Sequence, residues 1–112
     1  MKTVDIKGKE YVTVNERLKY FREKFTGYSL TTEIHHLSEK GVVMIATIRN
    51  DKGEAVASGI AHETHGSSFI NKTSFIENCE TSAWGRALAN FGIGIDSNVA
   101  SADEVANAIK NQ

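Results

Sequence analysis

The chain has no proline and only one cysteine among its 112 residues. Without proline, no helix or strand is interrupted by a ring that lacks an amide proton, and turns must come from glycine, asparagine and aspartate. A single cysteine excludes an internal disulfide framework. Cys79 falls on the apolar face of a predicted helix, where we expect it to be a small buried hydrophobic residue.

The chain also lacks long apolar runs and an excess of either charge. No stretch approaches the roughly 20 apolar residues that span a bilayer, and the N-terminus lacks the apolar core of a signal peptide. We therefore expect a cytoplasmic protein without membrane contact, folded as one domain over residues 1–112. Hydrophobic residues make up 40% and charged residues 24% of the chain, as in soluble globular domains. Because the net charge is −1, nucleic-acid binding would require locally concentrated positive charge.

The segment Gly66–Gly94 carries the strongest pattern. Its apolar residues recur at three- and four-residue steps, which predicts a long helix with one apolar face. Ser74 and Glu77 fit a capping box at the start of that helix, and Gly92 is placed to end it in the left-handed conformation. Small residues allow another surface to approach closely, whether the protein's own sheet, a neighbouring subunit or a ligand: Ala83, Gly85, Ala87 and Ala89.

The remaining patterns predict an α+β fold around the long helix. Residues 1–14 are expected to be extended or a strand, and residues 15–94 to form a helix–meander–helix core. Asn15 is the predicted N-cap of an N-terminal helix that Gly27 ends. Three antiparallel strands are predicted at Tyr28–Leu37, Val42–Asn50 and Glu54–Thr64. The tight turns that connect them are predicted at Ser38–Gly41 and Asp51–Gly53. Residues 95–112 are expected to form a loop and a short helix, with a capping box at Ser101–Glu104.

Patterns for catalysis, metal binding and cofactor binding are weak. His62 and His65 lie three residues apart near the end of a predicted strand, whereas a zinc-binding helix places two histidines one turn apart. The adjacent His35 and His36 are expected on opposite faces of a strand. No G-x-S-x-G elbow occurs, and Gly92–Gly94 follows a helix instead of preceding one, as a dinucleotide loop requires. We expect no enzyme activity, no metal and no cofactor.

A run of polar residues precedes the predicted long helix. Hydroxyl, amide and ammonium groups in this position suit phosphate oxygens, because the amides and dipole of a helix N-terminus favour an anion. The candidate donors are Ser68, Asn71, Lys72 and Thr73. Phe69 has two interpretations: it stacks on a nucleic-acid base, or it anchors the loop in the core.

The segment Ser68–Gly94 resembles a motif of small phage recombination proteins; it reads S-F-I-N-K-T-S-F-I-E-N-C-E-T-S-A-W-G-R-A-L-A-N-F-G-I-G. Those proteins are similar to the single-strand annealing superfamily, which includes the eukaryotic double-strand-break repair annealing recombinase and the phage Erf and Red beta proteins. In that superfamily a β-meander packs on a long helix. The positions that carry the resemblance most directly are Glu77, Ala83, Arg86, Ala87, Leu88 and Gly92.

The resemblance implies a protein of DNA recombination and repair that binds single-stranded DNA through its backbone phosphates and anneals strands. Lys72 and Arg86 would contact phosphates, and Arg49 and Lys52 would line the mouth of the groove. It also implies assembly into a ring or filament, partners among recombination or replication proteins, and location in the host cytoplasm if a phage encodes the protein. Trp84 is a candidate either for a subunit contact or for a buried anchor.

Two other functions fit the same residues. The small-residue face of the long helix suits an interaction module that forms homo- or hetero-oligomers without binding DNA. The polar loop Ser67–Thr73 suits a protein that binds the phosphate of a small nucleotide ligand.

Overall fold

The computed structural model describes residues 1–95 and 100–110. The strands are β1 (Thr3–Ile6), β2 (Lys9–Val12), β3 (Ser29–Ser38), β4 (Gly41–Arg49) and β5 (Ala55–Thr64). The helices are α1 (Val14–Lys24), α2 (Phe75–Phe91) and α3 (Ala102–Lys110), with a 3-10 turn at Ile70–Lys72 before α2. The predicted α+β fold is therefore confirmed, with its N-terminal helix, meander, long helix and short C-terminal helix. The predicted loop over 95–100 falls mostly on residues 96–99, which lie outside the described residues, as do residues 111–112.

The main sheet has the order β3-β4-β5, and both pairs of strands are antiparallel. The central strand β4 alternates strictly, because one of its faces packs against α2 and the other does not. The residues on the buried face are Val42, Met44, Ala46 and Ile48, each at most 3% exposed. The opposite face is open to solvent, since Ile60, which pairs with Ile45 there, is 59% exposed. The core thus lies between one face of the sheet and the helices.

Gly59 on β5 lets α2 lie directly against the sheet. A Cβ atom built at Gly59 would lie 2.3 Å from the backbone nitrogen of Ala87 and 2.8 Å from the backbone oxygen of Ala83. These two alanines are fully buried, so the contact is made almost entirely by backbone atoms. Ala57 and Ala61 on the same strand also pack in the core, whereas Ala55 is exposed.

The ends of α1 differ from the prediction. Thr13, not Asn15, is the N-cap, and its side-chain oxygen accepts a hydrogen bond from the amide of Glu16. Val14 is 3% exposed, so packing of the first turn sets where the helix begins. The helix ends at Lys24 with Phe25 as C-cap, before Gly27. Phe25 packs in an aromatic cluster at this end of the core, with ring centroids 4.8–6.0 Å apart, formed by Phe21, Phe25, Tyr28 and Phe91.

The two ends of α2 follow different rules. Gly92 has φ of 110° and its amide donates to the backbone oxygens of Ala89 and Leu88, as predicted for a left-handed C-cap. Ser74 occupies the N-cap position, but its side chain makes no capping hydrogen bond, so the predicted capping box with Glu77 is wrong. The chain reaches Ser74 from the 3-10 turn, and the Ser74 amide already bonds the oxygen of Ile70. The 3-10 turn therefore determines the conformation at Ser74.

The N-terminal strands and the C-terminal helix lie outside this core. β1 and β2 form a separate antiparallel hairpin with Lys7 and Gly8 at positive φ, where the sequence predicted only an extended segment or strand. In α3 the hydroxyl of Ser101 accepts from the amide of Glu104, which confirms half of the predicted capping box. The Asp103 carboxylate accepts from the amide of Val14 at 2.8 Å and so joins α3 to α1. Within the described residues, no helix is both long enough and apolar enough to cross a membrane.

Candidate functional site

The polar residues before α2 form a loop over residues 65–74, here called the His65 loop. Lys72 and Thr73 are exposed in it, and Phe69 is 85% exposed. The alternative that Phe69 anchors the loop in the core is therefore wrong. The loop presents an ammonium group, a hydroxyl and an aromatic ring at the N-terminal end of a 17-residue helix.

His65 holds this loop against the turn between β3 and β4. Its Nδ1 lies 3.2 Å from the backbone oxygen of Glu39, and its Nε2 lies 3.2 Å from the backbone oxygen of Lys72. Its amide donates to the backbone oxygen of Lys40 at 2.8 Å, and its ring stacks on Phe75 with centroids 4.8 Å apart. Because both carbonyls accept, a doubly protonated ring satisfies both and a neutral ring only one. Lys40 and Lys72 are thus held at the same end of the molecule.

Asn71 shapes the His65 loop from inside. It is fully buried, and its amide nitrogen donates to Glu63 Oε2 at 2.7 Å and to Ser67 Oγ at 2.9 Å. Its side-chain oxygen accepts from Asn78 at 3.0 Å, and its backbone amide donates to Ser68 Oγ. Asn71 and Ser68 were predicted as phosphate donors, but the structure places both in the interior, where these bonds occupy them. They position the exposed residues instead.

Arg49 and Lys52 lie at the other end of the sheet, at the turn between β4 and β5. The nine residues of β4 separate the two ends by about 27 Å. Arg49 Nη1 donates to Thr31 Oγ1 at 3.1 Å, and the amide of Lys52 donates to the Asn50 side chain at 2.9 Å. A single copy of the chain therefore does not bring these two residues together with Lys72.

Arg86 and Trp84 lie in the middle of α2, on different sides. The Arg86 side chain is 53% exposed and its Nη2 lies 2.8 Å from Glu104 Oε2 of α3. Trp84 is half-buried against the core, and its Nε1 donates to Thr32 Oγ1 at 2.7 Å. That bond makes Trp84 an anchor within the chain, and a subunit contact through its remaining surface stays a prediction.

Cys79 lies beneath the His65 loop, in the core. Its sulfur lies 3.4 Å from the backbone oxygen of Ala61 and 3.8 Å from that of Val42, and its side chain is fully buried. Burial raises the pKa of the Cys79 thiol above its ordinary value, and the Glu63 carboxylate raises it further. The thiol is neutral and enclosed, as predicted for a small hydrophobic residue. Among the described residues, no three His, Cys, Asp or Glu side chains are grouped to hold a metal ion.

One family model matches the chain over residues 18–91, about two-thirds of its length. The family is described as Slr1353 N-terminal dsRNA-binding domain-like. The chain belongs to this family. The match begins inside α1 and ends with α2, so the β1–β2 hairpin and α3 lie outside it. The comparisons with curated proteins and with solved structures returned no significant match.

Sequence reasoning considered His65 but missed its contacts, and it missed Lys40 and the pair of Arg86 with Glu104. The partners of His65 lie 26 residues before it and 7 residues after it, and no local pattern marks such a contact. The β1–β2 hairpin did leave a signal, since Lys7-Gly8 is a two-residue turn between alternating segments.

Proposed function

We propose that this protein binds nucleic acid through its phosphates at the His65 surface, which comprises Lys40, His65, Phe69, Lys72 and Thr73. One observation carries the proposal: His65 joins the turn that holds Lys40 to the loop that holds Lys72, at the N-terminus of α2. Two exposed lysines then lie at the same end of the sheet, next to the start of a helix, where the helix dipole favours an anion. The proposal is of binding alone, without catalysis.

The family supports a duplex as one ligand, because its description names double-stranded RNA. Modules that bind duplex RNA recognise shape and phosphates over about 16 base pairs, mostly without reading sequence. Two rigidly joined segments, each with a lysine, suit contacts to phosphates on either side of a groove. With about two contacts per chain, affinity should be modest and should fall by about tenfold between about 50 and 200 mM salt.

Single-stranded DNA is a second candidate, and the exposure of Phe69 favours it. A ring that is 85% exposed three residues before Lys72 is placed to stack on a base while the lysine contacts the neighbouring phosphate. The resemblance of Ser68–Gly94 to phage annealing proteins supports strand annealing by a ring or filament of this chain. Assembly would multiply the few contacts of each copy, and Arg49 and Lys52 would then line a groove shared between copies.

The test is fluorescence anisotropy with a labelled RNA duplex of about 16 base pairs and a labelled oligothymidine. Lys72→Ala should weaken binding of the preferred ligand by about three- to fivefold and reduce the salt slope by about one phosphate contact. Lys52→Ala removes an exposed lysine from a turn at the opposite end of the sheet and is the matched control for the duplex, whereas the annealing form expects it to weaken oligothymidine binding as well. Phe69→Ala should weaken only the single-strand complex.

The outcomes separate the candidates. Duplex binding that depends on Lys72 but not on Phe69 supports the family-based form, and oligothymidine binding that depends on both supports the annealing form. Equal losses from Lys72→Ala and Lys52→Ala would indicate a groove that spans both ends of the sheet. No binding of either ligand at low salt would overturn the proposal.

A further inference from the structure

Arg86 makes an incomplete ion pair with α3. Its Nη2 contacts Glu104 Oε2 at 2.8 Å, while Glu104 Oε1 is buried and has no hydrogen-bond partner. A guanidinium group presents a planar fork of donors that binds two oxygens of one anion most strongly. The pair in this structure uses one oxygen of the carboxylate, so Arg86 retains the capacity for a better-matched anion.

The contact face of α3 is imperfectly satisfied. Besides Glu104 Oε1, the side-chain oxygen of Asn107 is also buried without a hydrogen-bond partner. Residues 104 and 107 lie one turn apart, so both unsatisfied oxygens fall on the same side of α3. A buried acceptor without a donor destabilises the state that contains it, and a nine-residue helix has little stability of its own in water. The two unsatisfied oxygens therefore lower the stability of the docked position of α3 relative to a position in which water reaches them.

A second arginine lies under the acidic first turn of α3. Arg17 of α1 is fully buried, and its Nη1 donates to the backbone oxygen of Gly85 at 3.0 Å. Burial lowers the pKa of Arg17, while the nearby carboxylates of Glu104 and Asp103 act in the opposite direction. Two carboxylates of α3 thus balance positive charge on α1 and α2, and undocking α3 would leave that charge for another anion.

Open space flanks Arg86 along the edge of β5. Two cavities of about 540 and 610 Å³ both include Arg86 and Ile60 in their walls. The walls of the first also include Ser82 and Ser67, which belongs to the His65 loop, and those of the second include Asn90. A chain of phosphates leaving the His65 surface would find hydroxyl and guanidinium donors along this edge, and it would also meet the carboxylates of Glu63 and Glu104 in the first cavity.

We propose that the flank of α2 at Arg86 is a second phosphate-binding site, and that Glu104 of α3 occupies it in the free protein. A backbone phosphate of bound nucleic acid takes two donors of Arg86, displaces the carboxylate and undocks α3. The inference rests on the proposed nucleic-acid function and adds its regulation: α3, which lies outside the family match, competes with the ligand. Glu104 is an internal competitor, and its removal should strengthen binding.

The test compares binding of the RNA duplex and the oligothymidine by the wild type, Glu104→Gln, Arg86→Ala and the double variant. Glu104→Gln should bind about three- to fivefold more tightly, which is the loss of one partly exposed ion pair expressed as affinity. Arg86→Ala should bind more weakly, and adding Glu104→Gln to it should bring no gain. Glu23→Gln is the matched control, because it removes an exposed carboxylate from a different helix, α1.

Two further measurements test the undocking of α3 without changing the charge of the protein and without relying on a variant that fails to fold. Ala106→Gly weakens the exposed side of α3 without changing charge, and it too should tighten binding. It also replaces Glu104→Gln if thermal melts show that variant to be unfolded. Hydrogen exchange of the amides of Ala102–Lys110 should become faster when nucleic acid is added, a change that a purely structural ion pair would not produce.

The results distinguish the two proposals. If the wild type binds through Lys72, but Glu104→Gln and Ala106→Gly match it and α3 exchange is unchanged, the second site is overturned and the proposed function stands. If Glu104→Gln binds and the wild type does not, competition by α3 is supported. If no variant binds either ligand, both proposals are overturned.

Discussion

The two turns of the meander have similar sequences but are held in different ways. The turn between β4 and β5, here called the far turn (residues 50–54), is stabilised by its own residues: the Asn50 side chain accepts from the amides of Lys52 and Glu54 and donates to Glu54. The turn between β3 and β4 has one local side-chain bond, from the amide of Lys40 to Ser38 Oγ, and is also held by His65, which contacts backbone atoms of both its central residues. Hydrogen bonds within the far turn fix only the shape of that turn. Contacts from His65 instead join the β3–β4 turn to a segment that is distant in sequence, so the two form one surface.

The far turn therefore contributes mainly to the stability of its own hairpin, whereas the turn held by His65 belongs to the proposed binding surface. The far turn could be transferred to another hairpin with its geometry intact, because its partners are at most four residues apart. The His65 surface exists only when β5, the His65 loop and the β3–β4 turn are assembled. Substitutions in the far turn and in the His65 surface should therefore differ in their effects on the free energy of unfolding and on nucleic-acid binding.

The largest expected difference comes from the two asparagines. Asn71→Ala leaves Glu63, Ser67 and Asn78 without their shared partner inside the protein and should lower the free energy of unfolding by about 3 kcal/mol. Asn50→Ala removes bonds that water replaces, and should cost about 1 kcal/mol. Urea denaturation of both variants measures the difference, and equal losses would show that the buried network contributes no more than the exposed turn.

The glycines of the two turns should differ by about half that amount. A Cβ atom at Gly41 would lie 2.5 Å from the backbone oxygen of Glu63, so Gly41→Ala forces β4 and β5 apart and should cost about 2 kcal/mol. Gly53 has φ of 80° with open space around it, so Gly53→Ala should cost about 1 kcal/mol through backbone strain alone. Thermal unfolding provides the comparison. A larger loss at Gly53 would mean that strain outweighs the backbone overlap.

His65→Phe should separate stability from binding. Phenylalanine keeps the ring against Phe75 but loses both carbonyl contacts, at a cost of about 1 kcal/mol. Asn50→Ala is the matched control, since it should lose similar stability at the opposite end. Only His65→Phe should weaken nucleic-acid binding, measured by anisotropy below the unfolding temperature. Equal effects of both variants on binding would place the ligand elsewhere.

The smallest expected effect concerns pH and Cys79, beneath the His65 loop. Because burial raises the pKa of the folded thiol, the unfolded chain gives up its proton first as pH rises. This contribution to stability is complete below the ordinary thiol pKa of about 8.5 and is lost above it. The free energy of unfolding should fall between about pH 7 and about pH 10, and by less in Cys79→Ala. The same slope in both proteins would contradict a neutral buried thiol.

The strands β3, β4 and β5 of the main sheet were predictable because their signals are local. β-Branched runs and turn residues such as Asn50 and Gly53 place the strand ends within two residues of the observed ones. The cap of α1 was not predictable in this way, since Thr13 and Asn15 both suit the position and the burial of Val14 decides between them. Ser74 shows the same limit, because the preceding 3-10 turn sets its backbone.

The candidate site was predictable only in part. The polar run before α2 indicated the correct loop, and Lys72, Thr73 and Phe69 are exposed there. Composition could not distinguish the buried Asn71 from its exposed neighbours, because that depends on Glu63 and Asn78. Arg86 pairs with Glu104 because α3 packs against α2. The spacing of residues in the sequence does not predict that contact.

The contact between Gly59 and α2 has a consequence for how this fold changes in evolution. No side chain separates the strand from the helix there, so an enlarged residue at Gly59 would meet the helix backbone at Ala83 and Ala87. We expect these three positions to drift in sequence only as a group, and only alongside a shift in the path of the helix. Neighbouring positions on the open face of the sheet carry no such restriction and can diverge freely.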